Sequence, residues 1–288
     1  KKFFELKNYT ISITNEGVNQ NIIQGKDYET VWYRRVPKSN VENFQSDSEL
    51  TPQKLDLIYK IHHNITSEYD TVYSFINNEI IKPQNIIGSF NIGNLNKLEV
   101  LSAALKIGLS IPATYLVNNK NDLAKILKTN SDMEFIIKPI HNISSYEIGN
   151  RFFTPYTRKI QLNDLDGWKE NFHSTLIQQK IELEYEVRIF YFCGKLYSMA
   201  IFSEKNKDSQ IVDFREGENR RVPFEVPKEI EHKLLQLFQM YKFNYCSVDL
   251  LCDQDGTFYF LEINPIGQFG FVSYPCNYYI EKEIAENL

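Results

Sequence analysis

Apolar residues recur at helical spacing from about Gln53 to Asn77, at Leu55, Ile58, Ile65, Tyr69, Val72 and Phe75, and predict a long amphipathic helix. Before it, residues 1–36 read as short strands. Thr30-Val-Trp-Tyr33 is the clearest of them and runs straight into Arg34-Arg35. Polar residues from Pro37 to Pro52 predict a loop. Leu98, Leu101 and Leu105 predict a shorter helix over Asn94–Ile107, stopped by Gly108. A third helix is expected over Asn121–Leu127, with Asn121 as its N-cap. Phe135–Pro139, Leu176–Ile181, Glu186–Phe192 and Lys195–Phe202 read as strands, the last two paired across Cys193-Gly194. Ile230–Tyr241 and Tyr279–Leu288 read as amphipathic helices.

Two short apolar runs near the C-terminus, Ser247–Cys252 and Phe258–Asn264, predict the arms of a hairpin. Asp255-Gly256 suits a two-residue type I′ turn, which sets Gln254 opposite Thr257 and, counting outward, Asp249 opposite Glu262. Strand side chains alternate with period two, so Asn264 shares the face of Glu262. A wider turn is expected to move the partners by two and keep this parity. Facing carboxylates cost stability, and a bound cation explains why they are tolerated. Two carboxylates and an amide oxygen are hard oxygen ligands of the kind magnesium takes.

Composition narrows the class. With 288 residues the chain is expected to form two or three lobes. Its net charge of −5 argues against a general nucleic-acid binder. No apolar run approaches the ~20 residues that span a bilayer, and no signal-peptide pattern opens the chain. A cytoplasmic protein without membrane or nucleic-acid partners is therefore expected. The four cysteines (Cys193, Cys246, Cys252, Cys276) form no CxxC pair, so neither a zinc site nor a disulfide framework is indicated. His62 and His63 lie on the long helix without a further metal-type residue one turn from both, and read as packing or surface residues.

Seven fragments occur in a telling order: Asn96-Lys97, Gly108–Pro112, Ile136–Pro139, Gln179–Glu182, Glu186-Val-Arg188, Ser247-Val-Asp249 and Leu261–Pro265. Together they resemble the ATP-grasp ligases from about residue 90 to residue 270. That resemblance implies a mixed α+β (α/β) chain with the ATP-grasp fold, an N-terminal lobe followed by two α+β lobes that clamp ATP. Boundaries are expected at 1–90, 91–176 and 177–288. Lys97 and Lys138 then correspond to lysines at the nucleotide phosphates, where a compact ammonium charge is suited to a polyphosphate. Gln179, Lys180, Ile181 and Glu182 correspond to the hinge that reads the adenine edge, and Glu186 to the acid on the ribose. Asp249, Glu262 and Asn264 correspond to the Mg2+ ligands. Arg188 would face the transferred phosphoryl group. One departure stands out: after Pro139 the chain reads Ile-His-Asn-Ile-Ser-Ser-Tyr146, without the glycine-rich phosphate cover common in the family. Either the cover is made differently or the loop is shaped around another ligand.

Thr30–Arg35, Tyr197–Ser203, Glu262–Phe269 and Cys276–Glu281 resemble, more narrowly, the graspetide synthetases of grasp-with-spasm systems. Asp213-Phe-Arg215 with Asn219 resembles a segment of the peptide- and protein-modifying branch, which makes Arg215 a second catalytic candidate. The implied activity is phosphorylation of an Asp or Glu side chain of a ribosomal precursor peptide, followed by ring closure through a Ser or Thr ester or a Lys amide. The implied partner is a peptide with leader and core, and a homodimer is compatible with this. Arg34 and Arg35 are candidates for holding acidic substrate side chains. Two alternatives remain open on the same residues: a ligase for a free amino acid or protein tail, and a nucleotide-binding protein without ligase activity.

Overall fold

A computed structural model describes residues 10–21, 29–34, 51–89, 95–140, 146–148, 151–153, 157–203 and 219–288. The chain divides into two compact units, Lys1–Phe90 and Asn91–Asn287. Arg35, most of the polar stretch 37–52, loop residues 141–145 and the Asp213–Arg215 segment lie outside the described residues.

In the first unit, β1 (Ile11–Thr14) and β2 (Gly17–Gln20) form an antiparallel hairpin. The next strand, β3 (Thr30–Trp32), pairs in parallel with β4 (Asn85–Ile87). Between them runs α1 (Pro52–Phe75), continued by one π-helical turn, Ile76–Ile80. Thr51 caps α1, its hydroxyl accepting from the Lys54 N–H at 3.4 Å. Pro52 at the first helical position forfeits no intrahelical hydrogen bond. Only the last turns are packed, and one residue off the expected stripe: Tyr73 and Ile76 are buried, Val72 and Phe75 are half-buried, and Leu55 and Ile65 stay exposed at 50% and 40%. His62 and His63 are surface residues.

The second unit opens with α2 (Lys97–Lys106), β5 (Thr114–Asn119), α3 (Lys120–Thr129) and β6 (Phe135–Lys138). A small hairpin of β7 (Tyr146–Ile148) and β8 (Arg151–Phe153) follows, then β9 (Arg158–Ile160) and β10 (Asn171–Gln179). Next come β11 (Leu183–Phe192), β12 (Lys195–Ser203), β13 (Asn219–Phe224) and α4 (Lys228–Met240). Strands β14 (Tyr245–Asp253) and β15 (Phe258–Asn264) precede α5 (Phe269–Cys276) and α6 (Ile280–Glu286).

These strands make two antiparallel sheets, ordered β5-β10-β6-β9 and β13-β12-β11-β14-β15. Lys180–Glu182 is the short link from the first to the second. On the four-stranded sheet, Leu123 and Leu127 of α3 pack against Phe135, Ile160 and Ile177. On the five-stranded sheet, Val187, Ile189, Val248 and Leu250 meet Leu101 and Ala104 of α2 and Leu234 and Phe238 of α4. Each fully buried large aliphatic or aromatic side chain stabilises by roughly 1.5–3 kcal/mol. That burial of the odd-numbered β11 positions turns Glu186 and Arg188 to the opposite face, where α5 packs along β11, β12 and β13.

Local chemistry explains most boundaries. Asn96 caps α2, its Oδ1 accepting from the N–H groups of Leu98 and Glu99. Gly108 takes φ +81° just past the helix, and its N–H bonds back to the Leu105 carbonyl. Cys193 and Gly194 both have positive φ, so β11 and β12 are joined by the expected tight turn. The cap of α3 is Asn119 rather than Asn121, because Asn119 Oδ1 is the atom that reaches the first-turn N–H groups. Helix α5 was not legible as a helix, since Gly270 and Pro275 interrupt it.

The β14–β15 connection corrects the expected turn. Asp253 and Thr257 close a three-residue loop, with the Gly256 N–H on the Asp253 carbonyl and Gly256 at φ +80°. Asp253 Oδ1 accepts from the N–H groups of Asp255 and Thr257. This wider loop sets Cys252 opposite Phe258 and Leu250 opposite Phe260, one residue out of the expected register. A β-bulge between Asp249 and Leu250 then restores it, and Asp249 stands opposite Glu262. The expected pairing is present, but through a bulge and not through conserved parity.

Candidate active site

Register alone assembles the site on one face of the five-stranded sheet. Arg188 on β11 stands opposite Asp249 on β14, which stands opposite Glu262 on β15. One step along, Phe190, Ser247 and Asn264 form the next row of that face, and Glu186 with Leu251 the previous one. Helix α2 packs against β15. It thereby brings Lys97, its first residue, over Glu262, with Nζ to Oε2 at 2.9 Å. Arg188 Nε lies 3.1 Å from Asp249 Oδ1.

Lys138 enters from the end of β6, where it pairs with Leu176 of β10. Burial pushes its ammonium below the ordinary value and Lys97 adds repulsion, while Glu262, Asp249 and Glu186 oppose both. All four groups therefore lie within electrostatic reach of Lys138. The Glu262 carboxyl is pushed up by burial, but Lys97, Lys138 and Arg188 outweigh that and hold it below the usual carboxylate range. Lys97, Lys138, Glu186, Arg188, Asp249 and Glu262 thus form one charged cluster.

The donor set suits a hard cation. Asn264 Oδ1 accepts from the Ile266 N–H at 3.2 Å, which orients the amide and leaves a second lone pair. The turn beyond it is held by the Tyr245 hydroxyl, whose one proton is shared between the carbonyls of Ile266 and Gly267, each at 2.6 Å. Gly267 is at φ +37°, and a Cβ there would meet the Phe190 ring at 3.1 Å and Ser247 Oγ at 3.2 Å. Ser247 Oγ is buried without a hydrogen-bond partner among the described residues, and Arg188 Nε, buried beside Asp249 Oδ1 at 3.1 Å, makes no aligned hydrogen bond to it. Buried unsatisfied polar atoms are costly, and these two flank Asp249, where a metal-bound water or a phosphate oxygen would satisfy them. Among the described residues no group of three or more His, Cys, Asp or Glu side chains is arranged to hold a metal.

At the other end, Gln179–Glu182 line a cleft of about 320 Å³ with Met133, Glu134 and Tyr259. The Gln179 and Lys180 N–H groups are bound to the carbonyls of Ala113 and Glu134, both at 2.8 Å. Those of Ile181 and Glu182 have no backbone partner among the described residues, so they are the ones available to a ligand edge. Glu134 holds Lys180 and Lys159 in ion pairs along the rim.

In the first unit, Arg34 places its guanidinium carbon 5.5 Å from the Trp32 ring centroid. Arg35 and Arg215 lie outside the described residues. Sequence reasoning assigned no role to Ser247, although its position two residues before Asp249 puts it on the same face. It also passed over Phe271 and Arg221, for which the sequence carries no signal. Phe271 sits on an unrecognised helix, and Arg221 reaches the face only through β12–β13 pairing.

No family model and no curated protein matches the sequence. Solved structures do. The macrocyclase MdnC of Microcystis aeruginosa MRC, bound with the precursor peptide MdnA, superposes with a TM-score of 0.74 at 20% identity, over 97% of this chain and 86% of its own. A RiPP-associated ATP-grasp ligase of Chryseobacterium gregarium, in complex with ADP and a leader and core peptide, gives 0.70 at 22% identity over 92% and 79%. The ATP-grasp ligase PsnB, complexed with a phosphomimetic variant of its minimal precursor, Mg and ADP, gives 0.69 at 16% identity over 93% and 81%. At these identities the likeness is one of fold, and it agrees with the two antiparallel sheets joined by Lys180–Glu182. The chain has the ATP-grasp fold.

Proposed function

We propose that this chain is an ATP-dependent carboxylate ligase that closes ester or amide rings in a ribosomal precursor peptide. The observation that carries the reading is the Lys97–Lys138–Arg188–Asp249–Glu262 cluster, set on a fold shared with ligases solved with ADP and precursor peptides. The four-stranded and five-stranded sheets would be the lobes that clamp ATP. Ile181 and Glu182 would read the adenine edge, with Gln179 and Lys180 holding that segment in place, and Glu186 would take the ribose.

Lys97 and Lys138 would bind the polyphosphate, Lys97 exchanging Glu262 for a phosphate oxygen. Asp249, Glu262 and Asn264 would hold magnesium, which supplies charge neutralisation across the phosphates. Arg188 would steady the phosphoryl group in transfer. In the first step an Asp or Glu carboxylate of the peptide attacks the γ-phosphorus, giving an acyl phosphate and ADP. In the second, a Ser or Thr hydroxyl, or a Lys amine, of the same peptide attacks the acyl carbon and releases phosphate. Binding both groups of one peptide makes this second step effectively intramolecular. Arg215 would be a second catalytic residue, and Arg34 and Arg35 would hold acidic side chains of the peptide. The partner would be a peptide with leader and core, and a homodimer of the chain is readable by light scattering.

The test is a mass measurement. With ATP, magnesium and its partner peptide, the product is expected to lose one water per ring closed. A peptide whose core Asp and Glu are changed to Asn and Gln should lose none; ATP-dependent water loss from that peptide would refute the mechanism.

A further inference from the structure

Helix α5 carries one aromatic ring against two cations. The guanidinium carbon of Arg188 lies 5.2 Å from the Phe271 ring centroid, and that of Arg221 lies 4.7 Å from it. Both distances are within the ~6 Å over which a ring quadrupole attracts a cation, so the two charges are held within about 10 Å of each other. The ring can do this because α5 packs on β11 and β13, the strands that carry the two arginines. Unlike a carboxylate, an aromatic ring fixes a guanidinium without cancelling its charge. Arg188 is in part compensated by Asp249. Arg221 makes no ion pair with any described residue. Holding two like charges together costs free energy unless an anion joins them, and Arg188 Nε, although 3.1 Å from Asp249 Oδ1, makes no aligned hydrogen bond to it. One oxyanion would answer both observations, since guanidinium groups bind phosphate and carboxylate oxygens through strong, charge-assisted hydrogen bonds.

We propose that Phe271 is a positioning residue, and that through it Arg221 joins Arg188 in binding one oxyanion, either the phosphoryl group in transfer or the acidic side chain that receives it. The identity of that oxyanion rests on the ligase reading; the paired cradle does not. Its test therefore uses inorganic phosphate and glutarate, a dicarboxylate, each titrated calorimetrically into the protein with and without MgADP.

Phe271→Leu and Arg221→Gln are expected to weaken oxyanion binding about tenfold, the effect of one lost charge-assisted hydrogen bond. MgADP affinity should stay within about twofold of wild type, because ADP carries no γ-phosphoryl group for the two arginines to hold. Phe271→Tyr, which keeps the ring, should restore binding, and a merely structural role would not separate the two Phe271 variants in this way. A loss confined to phosphate would assign the cradle to the phosphoryl group; a loss confined to glutarate would assign it to the peptide's acid. Unchanged affinity for both oxyanions in Phe271→Leu and Arg221→Gln, or no oxyanion binding by the wild type, would overturn the proposal. Absence of MgADP binding with the oxyanion effects intact would defeat the ligase reading and leave the cradle standing.

Discussion

Glu262 answers to three cations at once, Lys97, Lys138 and Arg188, and together they favour its charged form. Glu262→Gln removes that charge and a proposed metal ligand while preserving shape. Turnover is expected to fall on the order of 100-fold or more, the cost of losing about 3 kcal/mol of transition-state stabilisation. Far-ultraviolet circular dichroism should show an intact fold. Wild-type rates in this variant would remove the metal from the account. Lys138 makes a second residue-scale prediction. Its pKa is lowered from 10.5 by burial, so between the lowered value and 10.5 the unfolded chain binds more protons than the native one. Stability therefore rises with pH across that window, and the full penalty is present below it. Nucleotide affinity should run the other way, since only the charged form attracts phosphate. MgADP affinity is expected to fall as pH rises through the lowered pKa. In Lys138→Arg, always charged, the fall should vanish; an unchanged alkaline limb would place that titration elsewhere. Lys125→Ala, on α3, should leave nucleotide binding unaffected.

At the scale of elements, the turn after β15 does most to aim Asn264. Gly267→Ala places a Cβ against the Phe190 ring and Ser247 Oγ at a residue with positive φ. It is expected to cost at least about 1 kcal/mol of stability, read from urea unfolding, and to weaken magnesium binding. An unperturbed midpoint would show that the turn tolerates the group. This scale also separates what could be read from the chain and what could not. Asp249 opposite Glu262 was anticipated from the turn and the alternation, yet the alternation is broken between them and the pairing holds only because a bulge restores the register. The route to it was not, because a three-residue loop and a β-bulge offset each other and neither leaves a mark in the apolar pattern. Capping was legible to within two residues: Asn119 and Asn121 are equally good by type, and only the strand exit decides between them. Helix α5 was hidden because its stability comes from packing on the sheet, against the propensities of Gly270 and Pro275. With it went Phe271 and the link it makes from Arg188 to Arg221.

At the scale of the whole molecule, the fold could be anticipated from the order of seven fragments, each weak alone. The exposed apolar positions of α1 could not, since an amphipathic pattern says that a face is apolar and not what lies on it. No helix among the described residues is long and apolar enough to cross a membrane. The charged face of the five-stranded sheet is where the account stands or falls, because it requires a peptide carboxylate to become an acyl phosphate there. Oxygen transfer reads that step directly. A partner peptide whose Asp and Glu side chains carry oxygen-18 is incubated with unlabelled ATP, magnesium and the enzyme, and the released phosphate is analysed by mass spectrometry. The account predicts one oxygen-18 in phosphate for each ring closed. Ring closure with unlabelled phosphate would contradict it.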